Sequence, residues 1–285
     1  MRARDATAWR SARAVAGYGP DVQVACVRAD NPGPFSLEGT NTYVVGDEDG
    51  TWVVDPGPAL DAHLDAVAAE VVRRGRPWRG VLLTHDHGDH AAGVAGLLDR
   101  AGSAPVRAAR AADRVLRDGD RAGPLTAVAT PGHAVDHLAF VGAGQLFSGD
   151  AVLGHGSVFV WPSPGALRAY LAALTRLRAM PLTRLHPGHG PQSDDPRGRI
   201  AACLAHRAAR EAALVAALAA GGRTVGVLLD AAWGDVPAVL RPAAAVTLAA
   251  HLDKLGEEGR LPAGVERPAI GAASDETPAS SRRPS

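Results

Sequence analysis

The sequence predicts an α/β (α+β) protein followed by a small helical segment. In the first two thirds of the chain, apolar runs of strand length alternate with stretches that have helical length and spacing. After Asp194-Asp195-Pro196 only helical patterns remain. This change predicts a catalytic domain over residues 1–195, a helical domain over 196–262 and a tail over 263–285.

Short apolar runs bounded by Gly, Pro, Asp or Asn predict the strands of the first domain. They are Val22–Val27, Thr42–Val45, Thr51–Val54, Val81–Leu83, Leu125–Ala129, Leu138–Val141 and Gln145–Phe147. Helices are predicted between them, over Leu60–Arg74, Ala91–Arg100 and Gly165–Arg178.

Three helices are predicted in the second domain. Gly221-Gly222 ends the first of them, and Thr224 is placed to cap the next. The third stops at the glycines of 256–259, where Gly259-Arg260-Leu261 has the position of a short β-wing. The pattern therefore predicts a winged-helix-like module, and the residues beyond Pro262 lack apolar periodicity and are expected to be disordered.

The composition is that of a protein without a global electrostatic field. Lys+Arg and Asp+Glu are 30 each, which disfavours general attraction to nucleic acid or an anionic membrane. Met1–Gly19 does not have the pattern of a secretory signal, and no apolar run is long enough to span a membrane. Two distant cysteines, Cys26 and Cys203, do not resemble a disulfide framework, so we expect a cytoplasmic protein.

The strongest chemical signal is the segment Thr84-His85-Asp86-His87-Gly88-Asp89-His90. It follows the apolar run Val81–Leu83 and concentrates three imidazoles and two carboxylates in six residues. Zinc, iron and manganese accept these ligand types, and a tight turn after a buried strand can direct them into one pocket. A single histidine is most often a core residue, but this cluster predicts a metal site.

Further ligand types occur downstream, each in a glycine-containing turn after an apolar segment. They are His133 in Thr130-Pro131-Gly132-His133, Asp150 in Phe147-Ser148-Gly149-Asp150 and His189 in Pro187-Gly188-His189-Gly190. Each turn is weak evidence alone. Their order after the histidine cluster makes the combination specific for a site that holds two metal ions.

A His-x-His-x-Asp-His motif followed by a lone His, a lone Asp and a lone His resembles the metallo-beta-lactamase superfamily. The resemblance implies an αββα sandwich with the ligands on loops at one edge of two packed sheets. It implies that His85, His87 and His133 hold one metal ion. The second ion would be held by Asp89, His90 and His189, with Asp150 bridging the pair.

Segments outside the ligands are similar to the beta-lactamase-like protein 2 group. They are Asn31–Pro34, Gly39–Tyr43, Asp55-Pro56-Gly57, Leu153–Gly156 and His206-Arg207-x-x-Arg210-Glu211. Members of that group carry a C-terminal winged-helix-like domain, and the group includes endoribonucleases and polyketide thioesterases. The motif departs from the group at Asp86 and Gly88, where an aromatic and a basic residue are frequent, and this weakens the case for a phosphodiester substrate.

The resemblance implies a hydrolase that needs no Ser, Cys or Thr nucleophile. Two divalent cations, expected to be Zn²⁺ with iron or manganese as alternatives, acidify a bound water and make hydroxide available near neutral pH. Asp89 and Asp150 are the predicted catalytic carboxylates. Asn41 and His155 are predicted to contact the substrate, with a turn residue as the alternative for Asn41 and a rim residue without a catalytic task as the alternative for His155. Asp55 has two open interpretations, as a partner of a ligand histidine or as a turn residue. His137 has no ligand-rich neighbourhood in the sequence and is interpreted as an ordinary residue.

The leading hypothesis is hydrolysis of a thioester, an ester or a related small acyl substrate. The alternative is a single-strand-specific endoribonuclease, which predicts a basic path that the mixed charges around Arg241, Lys254 and Arg260 do not favour. A nucleic-acid-binding regulator with a vestigial metal domain and a non-haem iron oxidoreductase are further hypotheses. The oligomeric state is left open.

Overall fold

A computed structural model describes residues 22–110 and 112–270 of the chain. The prediction for Met1–Gly19, and the part of the predicted 263–285 tail beyond residue 270, lie outside these ranges. Residues 263–270 of that tail are described, and the N–H of Glu266 donates to the Arg223 carbonyl at 2.8 Å. The strands are β1 (Gln23–Arg28), β2 (Asn41–Asp47), β3 (Gly50–Val54), β4 (Trp78–Leu82), β5 (Val106–Ala108), β6 (Arg114–Val115), β7 (Arg121–Ala122), β8 (Leu125–Ala129), β9 (Leu138–Gly142), β10 (Gln145–Gly149) and β11 (Arg184–Pro187). The α-helices are α1 (Asp61–Arg73), α2 (Gly88–Ala91), α3 (Val94–Ala101), α4 (Ala166–Ala179), α5 (Pro196–Ala219), α6 (Val225–Trp233) and α7 (Arg241–Glu257), with a 3-10 turn at Ala238–Leu240.

The chain divides into two compact units. The first comprises the described residues up to Val158 together with Arg168–His206, and the second comprises Phe159–Leu167 and the described residues from Arg207 onward. Helix α5 begins at Pro196, where the Asp195 carboxylate accepts the backbone N–H of Gly198 at 2.8 Å.

The first unit contains two sheets. One has the strand order β1-β2-β3-β4-β5-β6, in which β1 to β3 pair antiparallel and β3 to β6 pair parallel. The other has the order β11-β10-β9-β8-β7, in which only β10 and β11 run parallel. The alternation of side chains along each strand then directs one face of each sheet into a shared core.

The two sheets pack through one apolar cluster. Tyr43, Val45 and Trp52 of the first sheet share it with Phe140 and Phe147 of the second. On the opposite face of the first sheet, strand residues pack against helices α1 and α3 in a second cluster. Its members include Val44, Val53, Val81, Leu64, Val67 and Leu97.

Helix α4 contributes Tyr170, whose hydroxyl donates to the Ala151 carbonyl at 2.9 Å. Its ring and Cβ also lie so close to Gly132 that a Cβ there would be 2.6 Å from the Tyr170 Cβ. This contact ties α4 to the turns that follow β8 and β10. The sandwich of helices and two sheets confirms the predicted fold class.

The element boundaries differ from the sequence prediction at one helix and several strands. The predicted helix over 91–100 begins only at Val94, after α2 has ended at Ala91, and the N–H of Gly93 between them donates to the Gly57 carbonyl at 2.9 Å. Strands β5, β6, β7 and β11 were not predicted from the sequence. They span two to four residues each, too few to show an apolar alternation.

The second unit has a core of its own, formed by α5, α6 and α7. Its buried residues include Leu214, Leu218, Leu228, Trp233, Leu248, Leu252 and Leu255. The predicted cap is confirmed, since the Thr224 hydroxyl accepts the N–H of Val227 at the start of α6. No helix of the described chain combines the length and apolarity needed to cross a membrane.

The expectation of a β-wing at 259–261 is wrong, since these described residues do not form a strand. Gly259 adopts a positive φ of 68°, and the N–H of Arg260 donates to the Leu255 carbonyl at 2.8 Å. These residues therefore close the C-terminus of α7, and their backbone is committed to the helix cap.

Replacing Phe140 by alanine is expected to lower the free energy of unfolding by about 3 to 5 kcal/mol. Phe140 is fully buried between the two sheets, so the substitution removes apolar contacts and leaves a cavity. Chemical denaturation measures the change. Val72→Ala, on a side chain that is 72% exposed, is the control, and equal effects of the two substitutions would contradict the predicted packing.

Candidate metal centre

The seven predicted ligands come from four turns at strand ends. The turn after β4 carries His85 to His90, and the turns after β8, β10 and β11 carry His133, Asp150 and His189. The β10–β11 pair is parallel, so its two turns leave the sheet at the same edge. The structure brings all seven side chains into one cluster.

One set of three imidazoles faces a common point. The Nε2 atoms of His85 and of His133 each lie 3.0 Å from Nδ1 of His87. His85 and His133 are buried, and His87 is half-buried. Nδ1 of His87 has a single lone pair or a single N–H, so it cannot make a full hydrogen bond to both His85 and His133. A cation bound by all three nitrogens would give each of them a partner.

A second set joins one carboxylate and two imidazoles. Nε2 of His189 lies 3.2 Å from Oδ2 of Asp89 and 3.2 Å from Nε2 of His90. His90 and His189 are buried, and Asp89 is half-buried. The only part of the cluster open to solvent is therefore the side of His87 and Asp89.

Asp150 stands between the two sets. Its Oδ1 lies 3.5 Å from Nε2 of His90 and 3.4 Å from Nε2 of His189, and its Oδ2 lies 3.4 Å from Nε2 of His133. Oδ1 is buried and has no hydrogen-bond partner among the described residues. One carboxylate oxygen thus faces each set, which is the arrangement required of a ligand shared by two cations.

The electrostatics of the cluster also fit a cation. Burial alone would raise the pKa of Asp150, but His90 and His189 hold it well below its usual range. Against the effect of burial, Asp150 raises the pKa of His189 to about 9 and that of His90 well above its ordinary value. The Asp150 carboxylate therefore favours positive charge on the rings beside it, and a divalent cation can supply that charge in place of a proton.

Asp55 orients two of the histidines. Its Oδ2 lies 2.9 Å from Nδ1 of His90 and accepts the Thr84 hydroxyl at 2.7 Å, and that hydroxyl lies 3.0 Å from Nδ1 of His85. Its other oxygen accepts the Thr84 backbone N–H at 2.8 Å. Asp55 thus contacts a predicted ligand histidine, and its positive φ of 51° also fits the interpretation as a turn residue. Partners of this kind fix the ring orientation and strengthen a metal ligand.

Gly188 is required by the close approach of two ligands. A Cβ at this position would lie 2.7 Å from Oδ1 of Asp150 and 2.7 Å from Cε1 of His90. Any side chain there would displace one of them. This explains why the turn that carries His189 has glycine immediately before the histidine.

Asn41 contacts the protein backbone. Its side-chain N–H groups donate to the carbonyls of Pro187 at 3.0 Å and Gly190 at 2.8 Å, on either side of His189. Both donors of the amide are thus used in holding the His189 turn. The predicted substrate contact of Asn41 stays a prediction, and the contact that the structure contains is a positioning one.

His155 lies on the protein surface, with its side chain 53% exposed. Its Nε2 lies 3.2 Å from Oε1 of Glu38. It is not part of the cluster of potential ligands, and its predicted role in substrate binding also stays a prediction.

The sequence interpretation missed His137. The ring is 1% exposed, and its Nε2 accepts the backbone N–H of Asp150 at 3.1 Å. Burial, followed by the neighbouring His133, lowers its pKa to about 3, so the ring is neutral. In the sequence, its role could have been suspected because His137 lies four residues after His133 and directly before β9.

Two family models match parts of the chain. Residues 36–117 match the model of the metallo-beta-lactamase superfamily, and residues 224–262 match that of the beta-lactamase associated winged helix domain. A beta-lactamase domain protein from Burkholderia ambifaria has a similar structure, with a TM-score of 0.71 and 25% identity, covering 83% of this chain and 86% of that one.

Two curated relatives extend the comparison. An atrochrysone carboxyl ACP thioesterase from Cryptosporiopsis sp. is 32% identical over 75% of this chain and 72% of its own length. A beta-lactamase-like protein 2 homolog from Caenorhabditis elegans is 28% identical over 83% of this chain and 85% of its own length. The chain belongs to the metallo-beta-lactamase superfamily. It is a metal-dependent hydrolase that combines the superfamily domain with the associated winged helix domain, as the resemblance to the beta-lactamase-like protein 2 group implied.

In the metal-free protein, the His189 ring is expected to titrate near pH 9 and to move to a lower pKa in Asp150→Asn. The carboxylate that raises the His189 pKa is lost in this variant, while burial remains. NMR titration of the imidazole groups measures both values. His186, whose pKa is held at about 4 by burial and then by Arg184, is the internal control.

The raised pKa of His189 makes the stability of the metal-free fold depend on pH. Protonated His189 stabilises the metal-free fold fully below the unfolded pKa of about 6.5, and this contribution is lost as the pH rises through about 9. Because a metal ion binds only the neutral ring, Zn²⁺ affinity should increase up to about pH 9 and then level off. An affinity independent of pH between 7 and 9 would contradict this assignment.

Proposed function

We propose that this chain is a cytoplasmic, zinc-dependent hydrolase of thioesters, esters or related small acyl compounds. We assign the catalytic activity to residues 1–195 and propose that residues 196–262 are a separate helical domain. The residues proposed to hold two divalent ions are His85, His87, Asp89, His90, His133, Asp150 and His189.

Two divalent cations held by these residues would supply polarisation of the scissile carbonyl and a water acidic enough to lose its proton near neutral pH. Asp89 is the residue proposed to accept that proton. Its side chain is 34% exposed on the open side of the cluster, whereas Asp150 is buried and surrounded by imidazoles. Burial would raise the pKa of Asp89, but its contact with His189 lowers it, so the carboxylate is anionic at neutral pH.

The proposed substrate class is based on an apolar cavity beside His85. Its volume is about 540 Å³, within the range of small-molecule sites. The apolar part of its wall consists of Leu83, Ala91, Val94, Val106, Ala108, Ala109 and Ala112. These apolar side chains fit the hydrocarbon part of an acyl group. The thioesterase named among the relatives supports the same substrate class.

The charges near the cluster do not favour the alternative, an endoribonuclease. Arg110, which also lines the cavity, pairs with Asp86 at 3.0 Å and with Asp136 at 2.6 Å. In the second unit, Lys254 lies 2.8 Å from a carboxylate oxygen of Glu211. These cations are therefore neutralised by neighbouring carboxylates, and the positive path that single-stranded RNA needs is not supported.

Zinc-loaded protein is expected to hydrolyse members of a panel of acyl thioesters and to leave single-stranded RNA intact. The protein is purified without added metal, its metal content is determined by elemental analysis, and thiol release and RNA integrity are then followed. His87→Ala should lower kcat/KM by at least about 10³-fold, because one of three nitrogens of a metal set is lost. RNA cleavage without thioester cleavage would replace this proposal by its alternative.

Ala109→Phe is expected to raise KM for long-chain acyl thioesters while the acetyl thioester keeps its kinetic constants. The half-buried Ala109 lines the cavity, and a phenyl ring there would occupy the space proposed for the acyl chain. Val72→Phe, on the exposed face of α1, is a control for an added aromatic ring. Equal loss for all chain lengths would exclude the cavity as the acyl site.

A further inference from the structure

The imidazole of His137 joins two of the ligand-carrying turns. Its Nε2 accepts the backbone N–H of Asp150 at 3.1 Å, and its Nδ1 lies 2.7 Å from the Thr130 hydroxyl. Because Nε2 acts as the acceptor, the ring hydrogen is on Nδ1 and is donated to Thr130. Both ring nitrogens are thereby used, and neither is available as a metal ligand.

The backbone of residue 137 extends the connection. Its carbonyl accepts the N–H of Thr130 at 2.9 Å, which closes the turn that contains His133. The next residue, Leu138, donates its N–H to the carbonyl of Thr84 at 2.8 Å, directly before His85. Residue 137 is thus linked to the turns that follow β4, β8 and β10.

The chain makes room for this ring at Gly149. The residue has a positive φ of 46°, and a Cβ there would lie 2.8 Å from Nε2 of His137 and 2.5 Å from the Thr84 hydroxyl oxygen. A side chain at 149 would push both groups away. Glycine at this position therefore permits a histidine to reach the amide of Asp150.

We propose that His137 is a positioning residue that holds Asp150 in register with the His133 turn, so that one carboxylate can serve two metal ions. The two oxygens of Asp150 face different nitrogens, Oδ2 facing His133 and Oδ1 facing His189 at 3.4 Å each. A small rotation of the Asp150 backbone would move one oxygen out of reach. Loss of the His137 ring should therefore weaken the binding of one of the two ions.

The test measures metal retention, so its result is separate from that of the proposed thioester activity. Zn²⁺ binding is determined by competition with a chromogenic chelator, and the absorption spectrum of bound Co²⁺ reports the ligand geometry. His137→Phe is expected to bind one ion per chain about 10-fold to 100-fold more weakly than the parent protein. His137→Gln should recover part of this affinity, because its amide oxygen can accept the Asp150 N–H.

Two further variants distinguish positioning from folding. Thr130→Val keeps the His137 ring but removes the hydroxyl that accepts from Nδ1, and it should weaken binding of the same ion several-fold. His251→Gln replaces an equally buried histidine of the second unit and should bind both ions as the parent does. Circular dichroism and thermal unfolding of the metal-free variants identify any that fail to fold.

Parental Zn²⁺ stoichiometry and affinity in a folded His137→Phe would overturn the proposal. Should that variant not fold, Thr130→Val decides, and parental affinity in it would have the same consequence. If His137→Gln and His137→Phe weaken Zn²⁺ binding equally, the hydrogen bond from the Asp150 N–H is not what positions Asp150, and the proposal is contradicted. An unchanged Co²⁺ spectrum alongside a lower melting temperature would assign His137 a structural role only.

Discussion

The site depends on a carboxylate that is buried among imidazoles. Asp150 is 7% exposed, and its two oxygens face His90, His133 and His189 at 3.4 to 3.5 Å. A buried anion is unfavourable unless positive charge or hydrogen-bond donors compensate it. The rings supply that compensation in the metal-free protein, and divalent cations supply it when bound. The three histidines and the aspartate therefore cannot be placed independently of one another.

The packed sheets make this convergence possible. Tyr43 and Phe147 meet edge to face inside the sandwich, with ring centroids 5.4 Å apart, and the Tyr43 hydroxyl donates to the Pro187 carbonyl at 2.7 Å. The core thus fixes the position of the end of β11, and with it the position of His189. A shift of one residue in any of these strands would turn its ligand away from the site.

A second set of residues holds the ligands without being ligands. Asp55 orients His90 directly and His85 through Thr84, Asn41 holds both sides of the His189 turn, and His137 holds the backbone of Asp150. Each makes at least two directed hydrogen bonds, so the turns have little freedom. Ligands that are fixed in this way are preorganised for metal binding.

The sequence by itself determined the fold class, the order of the main strands and helices, and the residues that make up the cluster. The His85 to His90 segment is recognisable because its ligands are adjacent in the chain, and the lone His133, Asp150 and His189 are recognisable by their order in glycine turns. Tertiary structure alone decided the partners of Asp55, Asn41 and His137, the division of the helix before Val94, the short strands β5, β6, β7 and β11, and the absence of a wing strand in the described chain after α7. The reason is physical. The Asn41 amide and the Pro187 carbonyl are 146 residues apart, and strands of two to four residues owe their conformation to the neighbouring strand, so no local pattern encodes these contacts.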